Sequence, residues 1–472
     1  MKARSIIVLE ANEIPFKVFE YFCKRHPETT LARIFNAGTQ YATYTEDKTR
    51  FIMPWTTWPS FHRGVNDEAH QIFKFGQWEI ETDERYPPIW SLLARNGIGT
   101  GVFSSMQSAP LPRNRGDYAF YFPDMFSTDA STEPSDLEVL QEFNLAMTRQ
   151  SARNVSRSIN IGSAAKVLLN SHKLGLQPAT YADIGGQLLS EFINSDRKTR
   201  RRAYQPLILS DVFLKQLRRT RPAFSTFFTN HVAAAMHRYW AAAFPEDYEK
   251  FDLDSSWVKR FGNEIDFAMG KLNEIVTKFA DFVDADPGYM LVIATSMGQA
   301  AIPASHVREF LTITDMPQFF AALGLSPGDV EERPAMVPDF SFKVSDKLAD
   351  EVEAGLHTLV IGGKAADFHR DRSFFHVSVY DERAGLKDSE LRGKKTTTAD
   401  LGLGYMVHED EVACTAQHVP QGSLIIYSPH GQKKTGDTRG EISALDFAPS
   451  VLRHFGCEMP TYMRRADLLA DH

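Results

Sequence analysis

Short runs of branched apolar residues alternate along this chain with longer stretches whose apolar positions recur at helical spacing. Ser5 to Leu9 (SIIVL) is a continuous apolar run ending at Glu10, which predicts a strand buried on both faces. The next segment, IPFKVFEYFCKRHPETTLARIF, has helical periodicity broken at Pro27. PPIWSLLARNG predicts a helix stopped by Gly97, and TGVFSS a second strand. Strand, helix, strand opens an α/β sheet with crossover connections.

Ser127 to Asp136 (STDASTEPSD) predicts a loop. From there to about Ala285 helical patterns dominate, interrupted by one strand within RPAFSTFFTNHV at 221–232. MLVIAT at 290–295 and SLIIY at 423–427 return to the core-strand pattern. HTLVIGG and SFFHVSVYD alternate like strands of a smaller antiparallel unit, and SALDFAPSVLRHFG predicts a closing helix stopped at Gly456. The fold class is therefore α/β: a mostly parallel central sheet sandwiched by helices, with helical and small antiparallel insertions. Along the chain, 1–130 reads as the first part of the core, 131–280 as a helical insertion with a core strand, and 281–325 as core. Residues 326–400 read as a small insertion and 401–472 as the last part of the core.

At 472 residues and 24% charged positions the chain is long enough and apolar enough to bury a substantial core, which excludes a largely disordered protein. A net charge of −8 disfavours nucleic acid as a partner. The three cysteines, Cys23, Cys414 and Cys457, are far apart and form no CxxC pair. No apolar run approaches the ~20 residues that span a bilayer, and the first residues read as a strand, so the expected location is the cytoplasm.

Four core strands are each followed at once by polar or small residues: Glu10-Ala11-Asn12, Thr229-Asn230-His231, Ser296-Met297-Gly298 and Ser428-Pro429-His430-Gly431. If the strands are parallel, these ends converge where open α/β sheets bind ligands. That gathers Glu10, Asn12, Asn230, Ser296 and His430 on one edge. The segment PWTTWPSFHRG at 54–64 is the most singular in the chain. Its two prolines restrict the backbone around Thr57, and Ser60 is placed to cap a following helix. A threonine hydroxyl at a helix start favours an anionic oxygen, or attacks one if a base or metal activates it.

Taken in order, the pieces LEAN (Glu10), TWPS (Thr57), NHVAAAMHRYW (His237), TSMG (Ser296, Met297), SPHG (His430) and LDFAPSVLRHFG resemble the alkaline phosphatase superfamily. The closest likeness is to its branch of type I phosphodiesterases and nucleotide pyrophosphatases. The resemblance implies that fold and a hydrolase acting on a phosphate ester or phosphodiester. Thr57 then aligns with the family's nucleophile, as nucleophile or anion contact. His237 and His430 fall at catalytic positions, and Glu10, His237 and His430 at metal positions. Asn12, Asn230, Lys433 and Arg439 are placed to touch substrate.

The departures bear on the metal. The Asp that the family carries four residues before its His is Ala233 here, and the Asp-His pair after the next strand is Ser296-Met297. A thioether and a neutral hydroxyl are poor zinc ligands. The expectation is at most one divalent metal such as Zn or Mn, without a standard two-zinc site. Asn12, Asn230, His231 and Gln299 are polar neighbours that could fill in, as are His62, His306 and His376. Two other classes stay open: a catalytically inactive binding or scaffolding member of the fold, and a metal-independent transferase using a phosphorylated or nucleotide-linked donor. The partner expected is an anionic small molecule or a glycan-linked phosphate. Basic clusters at 196–202 (DRKTRRR) and 215–221 (KQLRRTR) read first as salt-bridged or solvated faces, with attraction of phosphates or an acidic membrane surface as the alternative.

Overall fold

A computed structural model describes residues 3–78, 80–150, 161–249, 251–305, 309–335, 339–379, 388–407, 412, 414–429, 439–470 and 472. His430 and Lys433, singled out from the sequence, and His306 lie outside the described residues.

The SIIVL run forms the strand Ser5–Ala11, at the middle of an eight-stranded sheet. The spatial order is Gly440–Ser443, Thr39–Tyr44, Gln421–Tyr427, Tyr289–Ala294, Ser5–Ala11, Phe224–Thr229, Thr100–Phe103, Phe120–Phe122. Ser5–Ala11 pairs in parallel with Phe224–Thr229 on one side and Tyr289–Ala294 on the other. All three strands are nearly or wholly buried, as central strands of a sheet covered on both faces are.

Alternation along the strands feeds two cores. Ile7, Leu9 and Ala11 face a large cluster with the helices Phe16–Arg25, Tyr204–Thr220 and Glu264–Asp284. Ile6 and Val8 face a second cluster with Pro54–Arg63, Ile89–Arg95 and Phe447–His454. The result is the expected sheet between helical layers. The break at Pro27 separates the helices Phe16–Arg25 and Thr30–Ala37, and Thr29 caps the second by accepting a hydrogen bond from the Ala32 amide.

A third core, around Phe319, Phe340, Phe342 and Phe375, belongs to the stretch between Leu311 and Leu403. The two alternating segments read there do not share a sheet. Phe374–Ser378 pairs with Asp339–Val344 in one four-stranded antiparallel sheet, and Val360–Ile361 pairs with Asp388–Leu391 in another.

One strand runs against the others. Gln421–Tyr427 is antiparallel to both its neighbours, Tyr289–Ala294 and Thr39–Tyr44. This corrects the reading in which four strand ends converge. The ends of Ser5–Ala11, Phe224–Thr229 and Tyr289–Ala294 share one edge, while Tyr427 leads to the opposite edge. There the Ser428 hydroxyl accepts a hydrogen bond from Arg4, ahead of the first strand (2.7 Å). The residues that precede Gln421 are the ones delivered to the first edge.

A second correction concerns the TWPS segment. The helix starts at Pro54, with Met53 as N-cap, so Ser60 lies inside it and caps nothing. Proline at the first helical position has no amide to waste there, which fixes the start. Ser60 bonds instead to Asp47 and His70.

Candidate metal centre

The strand Ser5–Ala11 ends in Asn12 and Glu13, and Glu13 has φ 64°. A glutamate in the left-handed region is uncommon and strained by roughly 1 kcal/mol. The turn aims its buried carboxylate along the sheet edge. The strand Phe224–Thr229 ends in Asn230, which begins the helix His231–Ala243 without a side-chain cap. The Asn230 amide oxygen is used elsewhere, accepting from Asn12 Nδ2 at 2.7 Å. Two turns along that helix stands His237. The third contributor, His418, lies on the strand Ala416–Val419, paired antiparallel with Gly298–Ala301 so that His418 faces Gln299. Close approach makes this arrangement depend on Gly298, where a Cβ would sit 2.2 Å from the Gln421 carbonyl oxygen.

Glu13, His237 and His418 form a three-donor group. Glu13 Oε2 is 3.0 Å from His237 Nε2 and 3.3 Å from His418 Nε2, and the two Nε2 atoms are 3.1 Å apart. Each imidazole turns its other nitrogen to a backbone carbonyl: His237 Nδ1 to Ala416 at 2.9 Å, His418 Nδ1 to Ile52 at 2.8 Å. A carbonyl only accepts, so both rings carry a proton on Nδ1 and both Nε2 atoms face the carboxylate. Three potential ligand atoms converge on one point, where either a metal ion or a proton on one Nε2 can balance the carboxylate. Metal–nitrogen bonds of about 2.0–2.1 Å in tetrahedral geometry put neighbouring donors about 3.3 Å apart, which these separations match. The group could hold a single metal ion, with His237 and His418 partly open to solvent.

The carboxylate is oriented by its own supports. Trp58 Nε1 donates to Asn12 Oδ1 at 2.8 Å, so Asn12 must present its NH2 group to Glu13 Oε1 at 2.6 Å. Gln299 donates to Glu13 Oε2 and to the Ala233 carbonyl, which leaves Gln299 Oε1 buried without a partner among the described residues. Burial pushes the Glu13 carboxyl up, but His418 and His237 outweigh it and hold the group well below the usual carboxylate range. For His237 burial acts downward, and Cys414 and Glu13 outweigh it, raising the imidazole well above its ordinary value.

Of the residues read from the sequence, the structure brings Asn12, Asn230, His237 and Gln299 together. Glu13 and His418 were not singled out. Glu13 follows a conspicuous strand end, and its left-handed backbone is invisible in the sequence. His418 precedes a strand whose direction the apolar run does not encode. Glu10 points into the other layer, where its Oε1 meets His62 Nε2 at 2.7 Å with both groups buried. Thr57 is fully buried, and its hydroxyl lies 2.7 Å from that of Ser296. Arg439 bonds Gln40 and Glu20 and covers the Phe16 ring. His231 lies between the Thr229 hydroxyl and the Ala268 carbonyl, and His376 pairs with Ser341 in the insertion. In the first basic cluster, Arg200 and Arg201 make bidentate ion pairs with Glu264 and Glu191.

No protein-family model matches the sequence, and no curated protein does. Among solved structures the chain is similar to murine ectonucleotide pyrophosphatase/phosphodiesterase 5, an inactive variant in complex with AMP, at 10% identity over 98% of this chain and 97% of that one, with TM-score 0.41. It is similar to the human ectonucleotide pyrophosphatase/phosphodiesterase 5 at 11% identity over 99% and 98%, TM-score 0.39. It is also similar to a variant of TAB5 alkaline phosphatase with Mg bound, at 8% identity over 97% and 100%, TM-score 0.36.

Proposed function

We propose that this protein is a hydrolase of phosphate esters or phosphodiesters that works with one divalent ion, zinc or manganese, held by Glu13, His237 and His418. The observation that carries the reading is the convergence of two Nε2 atoms and a carboxylate within 3.3 Å, each imidazole fixed by a carbonyl behind it. The order of sequence pieces supports the reaction class, with Glu13 supplying the carboxylate that Ala233 lacks. An ion in this group would supply Lewis acidity and a lowered water pKa.

The chain's own residues do the rest. Asn12 and Gln299 fix both oxygens of Glu13. The Ala416 and Ile52 carbonyls fix the histidine tautomers. The solvent-facing sides of His237 and His418 leave an approach for an anionic substrate. Among the described residues Thr57 has a hydroxyl partner and no carboxylate or imidazole to take its proton. We therefore assign it a packing and orienting role, not attack.

A metal-free binding protein is the second reading, and the raised His237 favours it, since an imidazolium beside Glu13 also satisfies the group. Elemental analysis of the purified chain, with hydrolysis of p-nitrophenyl phosphate and its bis ester, separates the two. The hydrolase reading requires close to one zinc or manganese per chain, turnover lost on chelation and restored by the ion, and loss of both in Glu13→Gln. Absence of metal after reconstitution sinks it.

A further inference from the structure

The helix Pro178–Ile193 is built inside out. Its polar side chains face the protein: Gln187 and Glu191 are each 6% exposed and Thr180 is buried. Glu191 takes a bidentate pair from Arg201, Asp183 pairs with Lys271, and the Thr180 hydroxyl donates to Asp211 at 2.7 Å. Most of its large apolar side chains face outward: Phe192 is 95% exposed, Ile193 82% and Leu189 71%, with Leu188 beside them, while Ile184 packs toward the core. The rest of that face is Ala182, Gly185 and Gly186, and nothing stands over either glycine. Asp183 and Glu191 are the only acidic residues of the helix, so its outward face carries no charge. On the preceding helix, Ile161–Leu174, Leu168 and Leu169 are also exposed.

An amphipathic helix normally buries its apolar stripe, and an exposed one of this size marks a contact surface. The charge beside it says what kind. Gln187 donates to the Arg197 carbonyl at 2.7 Å, which ties the segment Ser195–Ala203 to the helix. Arg197 and Lys198 are partly exposed there, and among the described residues neither is in an ion pair. In a chain of net charge −8 this end is a local cationic exception. A helix of 16 residues is about 24 Å long, short of the ~30 Å hydrocarbon core, so it cannot span a bilayer. Apolar residues on one face with unpaired cations at the end suit a helix lying in the headgroup region of an anionic membrane.

We propose that the outward face of Pro178–Ile193 docks on an anionic lipid surface, with Leu188, Leu189, Phe192 and Ile193 entering the headgroup boundary and Arg197 and Lys198 meeting lipid anions. The test is co-sedimentation of the full chain with phosphatidylcholine vesicles, with and without phosphatidylserine. Binding is expected to the phosphatidylserine vesicles, weaker to the neutral ones and reduced by salt. Phe192→Ser with Ile193→Ser should lower it at least ~tenfold, as should Arg197→Glu with Lys198→Glu. All four side chains are partly or largely exposed, so melting temperature should hardly change. Phe192→Trp should show a blue-shifted emission on vesicles, which reports insertion in a chain left otherwise intact. Absence of vesicle binding, or binding that both double variants retain, overturns the proposal. A concentration-dependent dimer abolished by Phe192→Ser with Ile193→Ser also overturns it and assigns the face to a second copy.

Discussion

His237 and His418 point their Nε2 atoms at each other across 3.1 Å while each donates its Nδ1 proton to a backbone carbonyl. Two such nitrogens share that space with the carboxylate of Glu13 when a metal ion, or a proton on one Nε2, lies between them. The same geometry identifies Asn12 as a positioning residue, because its amide is turned by Trp58 and in turn holds Glu13. Asn12→Ala should lower metal affinity by about 10–100-fold, the usual effect of removing a group that orients a ligand. Competition with a chromophoric chelator measures it. An affinity unchanged within twofold would mean that the turn backbone alone orients Glu13.

Glu10 and His62 form a buried pair in the opposite layer, with His62 against Trp58 and Trp90. Removing one partner leaves the other polar group buried alone, so His62→Ala should cost about 3–5 kcal/mol in a denaturant titration. Metal content per folded chain should not change. A variant that keeps its stability and loses its metal would put Glu10 among the ligands after all.

Thr57→Val deletes the hydroxyl pair with Ser296 and keeps the shape. The expected loss is about 1–2 kcal/mol of stability, from one buried hydrogen bond and the stranded partner. Turnover should stay within tenfold of the parent. A fall of two or more orders of magnitude at unchanged metal content would make Thr57 the nucleophile that the sequence resemblance implies.

His231 is buried between a hydroxyl and a carbonyl, and burial pushes its imidazole down to about 4, partly offset by the Ala268 hydrogen bond. From the ordinary 6.5 down to about 4 the unfolded chain binds a proton here and the folded chain does not. Stability from this group is therefore complete above pH 6.5 and lost as pH falls through about 4, by up to ~3 kcal/mol. His231→Gln should flatten the acid limb of stability against pH. A limb of unchanged slope would show that other groups govern acid unfolding.

Much of the architecture was legible because burial leaves a one-dimensional trace. SIIVL and MLVIAT are largely apolar runs because strands at the centre of a sandwich are covered on both faces. Asn12 and Asn230 were visible as the first polar residues beyond such runs. These two inferences need only local periodicity and the rule that ligands gather at strand ends. His237 was reached through the sequence resemblance alone.

The sequence by itself thus determined the layers, five of the eight strands of the central sheet and part of the site. Tertiary structure decided the rest. An apolar run reads the same in either direction, so nothing in SLIIY announces that Gln421–Tyr427 is antiparallel, yet that direction carries Ser428 to the far edge and brings His418 to the near one. A left-handed turn at Glu13 depends on the contacts that repay its strain, not on the residue type. The inversion of Pro178–Ile193 was hidden for a related reason. Periodicity finds two faces of a helix, and only the ion pairs that hold Asp183 and bury Glu191 show which face is turned outward.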